Sequence, residues 1–388
     1  MRLAFYYNHY NSLGHGLRSF NLLSYIKKHL PMEILVLQGG KQQNLLPFDK
    51  LGRRVILPYS FSKMGMIVDR YPKLHDRILS TPWAQNVLAR RLEVILSELE
   101  KFAPDLLITE YYPMGDAFWT NEVPIFLERI RNKVKRIFCS CGYVSPVDEA
   151  VEVIGEFYDA VFIHSPQRFL ESYLRYFRFD DRDREKFMPV FDVHRDKIYY
   201  TGFVIDREEE EIERWDEYIL VSRGGGVINR KIISLALGFS KYRKDLKFVI
   251  VLGPSTPESE VNEVKELAGK NVIIYHYVSR PQFNYLLKNC RVSLNMSGYN
   301  TSTKLLYYRK PAIIYPLDAV EQMARAKCLT EFLPIRIIAE SSLSFRKLGE
   351  WVEELWEIKP SSVFSESDFQ GEKDFLRALQ YELQAIPE

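Results

Sequence analysis

Residues 292–326 read VSLNMSGYNTSTKLLYYRKPAIIYPLDAVEQMARA. A short apolar run, Val292 to Met296, stops at a polar turn with one glycine, Ser297-Gly298-Tyr299-Asn300-Thr301. A helical pattern follows, then a second apolar run, Ala312 to Tyr315, then another helical pattern that begins at Glu321 and Gln322. Strand, glycine turn, helix and strand in that order form a crossover unit, which sets its two strands parallel.

The alternation extends in both directions. Strands are predicted at Tyr218 to Ser222, Phe248 to Leu252, Val272 to Tyr275 and Arg336 to Ile338 in the second half. The first half repeats the scheme with Leu3 to Tyr7, Glu33 to Leu37, Arg54 to Leu57, Asp105 to Thr109, Arg136 to Cys139, Ala160 to His164 and Lys197 to Tyr200. Such spacing predicts an α/β protein with parallel sheets. The clearest helix carries Leu88, Leu92, Ile95, Leu99 and Phe102 at alternating steps of four and three, an apolar stripe for a core.

At roughly 150 residues per domain, 388 residues accommodate two domains and a cleft between them. Composition shifts at Asp206 to Glu213, DREEEEIE, a like-charged block that reads as a linker or an exposed helix. The expected domains are therefore 1–205 and 206–388, with a final helix over Asp368 to Gln384 that can pack back on the first. Hydrophobic residues at 46% and charged residues at 27% exclude disorder, and a net charge of +2 creates no field for nucleic acid. Cys139, Cys141, Cys290 and Cys328 are too scattered for a disulfide framework, and the C-x-C pair lacks the second pair of a metal site, so no metal is implied. No run approaches the roughly 18–20 apolar residues of a membrane span, and Leu3 to Tyr7 is too short for a signal-peptide core. A cytoplasmic protein is expected.

In open parallel sheets, ligands bind beyond the carboxyl ends of strands, where glycine turns lead into helices whose free N–H groups attract anions. Three turns qualify: Leu13-Gly14-His15-Gly16-Leu17-Arg18, Ser222-Arg223-Gly224-Gly225-Gly226, and the turn from Ser297 to Thr301. Each alone also reads as a steric solution to a tight connection. One in the first half and two in the second would set an anionic ligand of the second domain opposite groups of the first. The chain lacks G-x-x-x-x-G-K-[ST], and its first turn is not G-x-G-x-x-G, so neither a P-loop nor simple dinucleotide binding is indicated.

The block Ser297-Gly298-Tyr299-Asn300-Thr301, Leu305-Leu306, Lys310-Pro311-Ala312, Pro316, Glu321-Gln322 and Arg325-Ala326 resembles the donor-site signature of GT-B glycosyltransferases. It is most similar to the carboxyl domain of family 28, which includes the lipid-linked glucosaminyltransferase of peptidoglycan synthesis. The turn with Gly14, Gly16 and Arg18 resembles that group's amino-terminal acceptor-side turn, and Thr201-Gly202 its interdomain approach. The resemblance implies two Rossmann-like domains across a cleft, with an acceptor domain over 1–205 and a nucleotide-sugar donor domain over 206–388. It implies donor contacts from Arg223, Gly224, Gly225, Ser297, Gly298, Asn300, Thr301, Lys304, Glu321 and Gln322. Lys304 departs from the pattern, which has an acidic residue there for the ribose; three N–H donors cannot hold a diol as a carboxylate does.

The implied reaction is a metal-independent, inverting sugar transfer from a nucleotide sugar, with no cofactor, to a glycan or lipid-linked acceptor. Helix dipoles stabilise the leaving phosphate and a base takes the acceptor proton. His15 is the first candidate base, with Glu110 at a strand end and Asp148 in a strand-end loop as further ones. Asp181-Arg182-Asp183 lies in the charged run FDDRDREK and reads as surface. Residues 51–91 hold eight basic residues against two acidic ones, interleaved with Phe61, Met64, Met66, Ile67 and Trp83. That mixture suits either a solvated face or peripheral contact with an anionic membrane at its inner face. A nucleotide-sugar hydrolase, and a non-catalytic nucleotide-sugar-binding relative, remain open as alternatives on the same scaffold.

Overall fold

The structure, a computed structural model, describes residues 1–8, 14–40, 46–58, 80–115, 122–142, 144–177, 188–225, 230–316, 320–339, 343–359, 361 and 363–384, with the side chain of Val320 left aside. The first half runs β1 (Arg2–Asn8), α1 (Gly14–His29), β2 (Glu33–Gly39), β3 (Arg53–Ile56), α2 (Pro82–Phe102), β4 (Leu106–Glu110), α3 (Glu122–Ile130), β5 (Arg136–Cys141), α4 (Ala150–Phe157), β6 (Ala160–Ile163), α5 (Gln167–Tyr176) and β7 (Ile198–Tyr200). The second runs β8 (Ile219–Ser222), α6 (Arg230–Tyr242), β9 (Phe248–Val251), α7 (Glu258–Leu267), β10 (Val272–Tyr275), α8 (Arg280–Asn289), β11 (Val292–Asn295), α9 (Tyr299–Tyr308), β12 (Ala312–Ile314), α10 (Val320–Leu329), β13 (Ile335–Ile337), α11 (Phe345–Trp356) and α12 (Gly371–Gln384).

Each predicted strand is found, within a residue or two at its ends. The strands form two parallel sheets, one of seven in the order β3-β2-β1-β4-β5-β6-β7 and one of six in the order β10-β9-β8-β11-β12-β13. The period of two sorts side chains between faces. In β1, Leu3, Phe5 and Tyr7 pack under α1 and α12, while Ala4 and Tyr6 face the opposite core. The predicted stripe of α2 is real; Ile95 and Leu99 are buried, and the helix begins with Thr81 as N-cap, its hydroxyl accepting the Ala84 N–H.

The two sheets share one core. Ala4 and Leu107 of the first belong to the same apolar cluster as Leu220 and Val249 of the second. An aromatic seam joins them: Phe169 of α5 lies 5.1 Å from Phe203 and 5.8 Å from Phe332, and Phe203 lies 5.4 Å from Phe369. Beside it, Arg175 of α5 pairs with Glu331 at 2.6 Å.

The acidic run after β7 is a non-helical connecting segment whose residues from Arg207 to Glu211 are exposed, and it is not free of partners. Residues 201–214 form neither helix nor strand, and their carboxylates and carbonyls run along α8. Asn284 donates to the Asp206 and Glu208 carbonyls at 3.2 and 2.9 Å, Lys288 pairs with Glu209 at 2.9 Å, Gln282 donates to Glu210 at 2.9 Å, and Tyr285 donates to Glu211 at 2.8 Å. Like charges concentrate there because α8 offers donors at successive turns.

The final helix returns to the first sheet, burying Phe375, Leu376 and Leu379 with residues of α1. At its start, Glu372 accepts the Ile205 N–H at 3.0 Å, and burial pushes its carboxyl up to about 7. A carboxyl whose pKa rises on folding binds its proton more tightly in the native state, so it favours folding at low pH. That contribution is lost as pH climbs from the ordinary value of 4.5 through about 7. Glu372→Gln keeps the acceptor without the charge. It is expected to match the wild type near the low end of that window and to exceed it by on the order of 2 kcal/mol above the window, measured by denaturant unfolding at both pH values.

Candidate functional site at the facing switch points

Strand order reverses between β1 and β4 in the first sheet, and between β8 and β11 in the second. At such a reversal the crossovers leave to opposite faces and a crevice opens at the carboxyl ends. All three glycine turns identified in the sequence lie at these two places: α1 follows β1, the Gly224 turn follows β8, and the Gly298 turn follows β11.

His15 lies in the first turn of α1, and its Nδ1 sits 2.9 and 3.0 Å from the two carboxylate oxygens of Glu110, the last residue of β4. Arg18, three residues further along α1 and so on the same face, forms an ion pair with the same carboxylate. Arg18 and Glu110 are buried, while the His15 side chain keeps 20% exposure. Burial alone would push the Glu110 carboxyl up, but the charges and hydrogen bonds of His15 and Arg18 outweigh it and hold it below the usual carboxylate range. An ionised carboxylate only accepts, so Nδ1 carries the proton and donates. The Tyr111 ring meets the imidazole edge-on at 5.3 Å between centroids.

On the facing side, the Asn295 side chain at the end of β11 accepts the Ser297 N–H at 2.9 Å, an Asx turn that holds Ser297 at a φ of 60°. Ser297 is stitched to α10 as well: its hydroxyl donates to the Gln322 carbonyl at 3.0 Å, and its carbonyl accepts from Arg325 at 2.7 Å. Arg325 in turn pairs with Glu321. Gly298 is the N-cap of α9 and offers no side chain to its first-turn N–H groups, a turn that contains no acidic residue. A Cβ placed on Gly298, or on Gly224 at its φ of +72°, would meet no described atom within 4 Å. Among the described residues nothing stands against either turn, and a positive helix end is aimed from one of them.

The two sides touch through Tyr299. Its ring lies 5.0 Å from the Arg18 guanidinium carbon, and its hydroxyl donates to the His164 carbonyl at 2.6 Å. His164 is buried at the end of the first sheet, its ring between Ser140 and Thr201 hydroxyls at 2.8 Å each, and burial keeps it neutral by pulling its pKa well down. Sequence reasoning quoted Tyr299 only as part of a motif and passed over His164. The glycine within Cys141-Gly142 was the available signal: a Cβ there would stand 2.2 Å from Arg18 and 3.1 Å from Tyr299.

The structure brings His15, Glu110, Arg18, Gly14 and Gly16 together on one side, and Ser297, Gly298, Asn300, Thr301, Glu321 and Gln322 on the other. Glu110 and Arg18 differ in setting from the expectation: Glu110 orients His15 instead of standing as a separate base, and Arg18 is bound into the same cluster. Arg223 is a correction. Its nitrogens reach the Leu252 carbonyl, Glu260 and Thr256 at 2.9, 2.7 and 2.6 Å, so the buried side chain anchors the Gly224 loop from behind and does not face the crevice. Lys304 is another: it is 5% exposed and turned onto Asp206 at 2.6 Å, with its ammonium 5.8 Å from the Phe283 ring centre. Burial would raise the Asp206 carboxyl, and Lys304 holds it below the usual range. The helix face that carries Lys304 meets the linker, so its charge is satisfied inside the protein. Asp148 is exposed in the turn before α4, outside the hydrogen-bonded His15–Glu110–Arg18 cluster.

Leu13, Gly226 and the Asp181-Arg182-Asp183 run lie outside the described residues, as do Lys63, Arg70, Lys73 and Arg77 of the basic stretch, with Phe61, Met64, Met66 and Ile67. Of the rest of that stretch, Arg91 is buried on Glu122, Arg53 pairs with Glu98, and Arg54 pairs with Asp49. Their charges are thus neutralised internally, while Trp83 remains half exposed at the start of α2. Among the described residues no helix is long and apolar enough to cross a membrane, and no group of three or more His, Cys, Asp or Glu could hold a metal ion.

No family model and no curated protein matches the chain in sequence. Solved structures match it in fold. CalG4, the calicheamicin glycosyltransferase, superimposes with a TM-score of 0.64 at 14% identity, with 100% of each chain covered. SnogD, a glycosyltransferase from Streptomyces nogalater, gives 0.56 at 16% over 100% of this chain and 96% of its own. The UDP-GlcNAc 2-epimerase of Methanocaldococcus jannaschii, solved with UDP-GlcNAc and UDP, gives 0.59 at 13% over 98% and 100%. The chain thus has the GT-B fold, two parallel-sheet domains as glycosyltransferases and this epimerase have them. The narrower likeness to family 28 rests on the sequence block alone.

Because Arg223 satisfies three acceptors with a planar fork, Arg223→Lys is expected to lose about 2–4 kcal/mol in denaturant unfolding, nearly as much as Arg223→Met. A lysine that restored wild-type stability would show that charge alone, not the fork, holds the loop.

Proposed function

We propose that the chain is a glycosyltransferase that moves a sugar from a nucleotide-sugar donor to a hydroxyl acceptor, with inversion and without a metal. The observation that carries the reading is the His15–Glu110 hydrogen bond at one switch point, set against an uncapped helix end and two open glycine turns at the other. The donor diphosphate would lie between the Gly224–Gly225 turn and the N-terminus of α9, with Asn300 and Thr301 in the first turn. There the helix dipole and backbone N–H groups stabilise the charge that develops on the departing phosphate. Glu321 and Gln322, at the start of α10, would meet sugar hydroxyls, and Arg325 would fix the Glu321 carboxylate for that task.

In the chemical step the acceptor oxygen bonds to the anomeric carbon as the bond from that carbon to the phosphate oxygen breaks. The nucleoside diphosphate leaves with the electron pair, and the hydroxyl proton passes to His15 Nε2. Glu110, through Nδ1, fixes the tautomer and stabilises the imidazolium that forms. Its depressed pKa keeps it ionised at neutral and mildly acid pH. The acceptor belongs to the first half, as a glycan or a lipid-linked sugar; for the latter, the half-exposed Trp83 is the described residue that would meet an anionic membrane at its cytoplasmic face.

The test begins with thermal shifts against UDP, dTDP, GDP and ADP and their sugars, since a ligand of the native state raises apparent stability. One nucleotide is expected to stabilise the wild type and not Gly298→Trp, whose indole fills the open space without disturbing the core. With the donor known, His15→Ala is expected to lower kcat by about 10²–10⁴, and Glu110→Gln by about 10² or more, with products separating transfer from hydrolysis. Wild-type turnover by His15→Ala would remove it as base, and silence to every nucleotide would remove the donor site.

A further inference from the structure

The cleft holds one contact that the reaction as written does not use. Arg18 is buried, and besides the Glu110 carboxylate its guanidinium carbon meets the ring of Tyr299, which belongs to the opposite half, at 5.0 Å from the ring centre. Tyr299 is the residue directly after the α9 N-cap, so any shift of the Gly298 turn moves its ring. It cannot drift freely, because its hydroxyl is tied to the His164 carbonyl of the first half at 2.6 Å. Gly142 sits beside this contact, and even one added carbon there would collide with the guanidinium. The chain of contacts is thus continuous from the Gly298 turn through Tyr299, Arg18 and Glu110 to the His15 ring.

The geometry points to Arg18 and Tyr299 as positioning residues that couple the donor-side turn to the orientation of His15. A guanidinium over a buried aromatic ring is attracted to its face, which restrains the plane of the fork. That plane decides where the Glu110 oxygens point, and the Glu110 oxygens decide which His15 nitrogen carries the proton. The inference rests on His15 being the base of the proposed transfer, but the coupling itself is visible without turnover.

Its test uses the full-length protein with isotopically labelled histidine, reading the His15 tautomer by NMR at mildly alkaline pH. The wild type is expected to show a single tautomer with the proton on Nδ1. Tyr299→Leu, which removes the ring face, and Gly142→Ala, which wedges the guanidinium away, are each expected to give a mixture. With the donor in hand, both should lower kcat by roughly 10–100-fold, with donor KM within about threefold of the wild type, since a small misplacement of the base is a kcat effect. Tyr299→Phe keeps the ring and should lose less. Arg18→Gln removes the cation that helps hold Glu110 ionised, so the acid limb of kcat/KM should move to higher pH, and Arg18→Lys should bring it partly back. A residue with a merely structural role would lower the amplitude and leave the limb in place.

Circular dichroism identifies which variants fold, and either of the first two suffices. A single Nδ1–H tautomer in a folded Tyr299→Leu or Gly142→Ala protein would overturn the coupling. A tautomer that mixes as expected, in a protein that binds no nucleoside diphosphate and transfers no sugar, would leave the coupling standing and remove the donor reading of the cleft.

Discussion

A carboxylate taken out of water at the end of β4 is the constraint around which the cleft is organised. Burying a charge costs several kcal/mol unless partners compensate it, and removing one partner leaves that cost exposed. Glu110 is compensated from one element alone, since His15 and Arg18 both project from the first turns of α1. This fixes how α1 leaves β1, and with it the position of the Gly14–Gly16 backbone at the switch point. Beyond Glu110, the Arg18 guanidinium also lies over the ring of Tyr299 from the other half. A local electrostatic requirement in one sheet thereby becomes a requirement on where the other sheet stands.

The apolar packing agrees with that requirement. Two domains joined by a linker normally move relative to each other unless the interface is large and hydrophobic. Here the faces of both sheets contribute to one buried cluster, and the Phe169, Phe203, Phe332 and Phe369 rings fill the seam. The strap of residues 201–214 runs along α8, and α12 crosses back to α1, so these two segments add to the same relative placement. Facing groups set by packing need little reorganisation to meet a ligand, which is the condition under which orientation contributes most to rate.

The architecture was legible in the sequence because a parallel sheet buried on both faces writes short apolar runs that stand out from polar turns. All thirteen strands follow from such runs, and the glycine turns follow from the tight connections between them. Long-range partners were not legible. Arg223, Lys304 and Glu110 are all charged residues beside glycine turns or strand ends, and local pattern treats them alike. Which one faces a cleft depends on Glu260, Asp206 and His15, residues 37, 98 and 95 positions away, brought close only by the topology. The acidic run was legible as an exposed connection but its partners were not, for a related reason: the donors that its carboxylates meet are presented by α8, about seventy residues on.

What remains turned toward the open space, once the charged side chains have found partners inside the protein, is largely backbone. Gly224 and Gly298 present N–H groups and a helix end, while Arg223 is spent on holding the Gly224 turn and Lys304 on Asp206 of the linker. Recognition of that kind depends on the path of the chain more than on which side chains line it, because any residue that keeps the turn keeps the donors. A crevice built so can keep its shape while sequences diverge, in keeping with a fold shared by glycosyltransferases and an epimerase at identities of 13–16%. Chemistry then has to be set by the few side chains that do face inward. Among the described side chains at the two switch points are His15, held by Glu110 from its own half, and Tyr299, which reaches from the other half to the arginine behind that carboxylate.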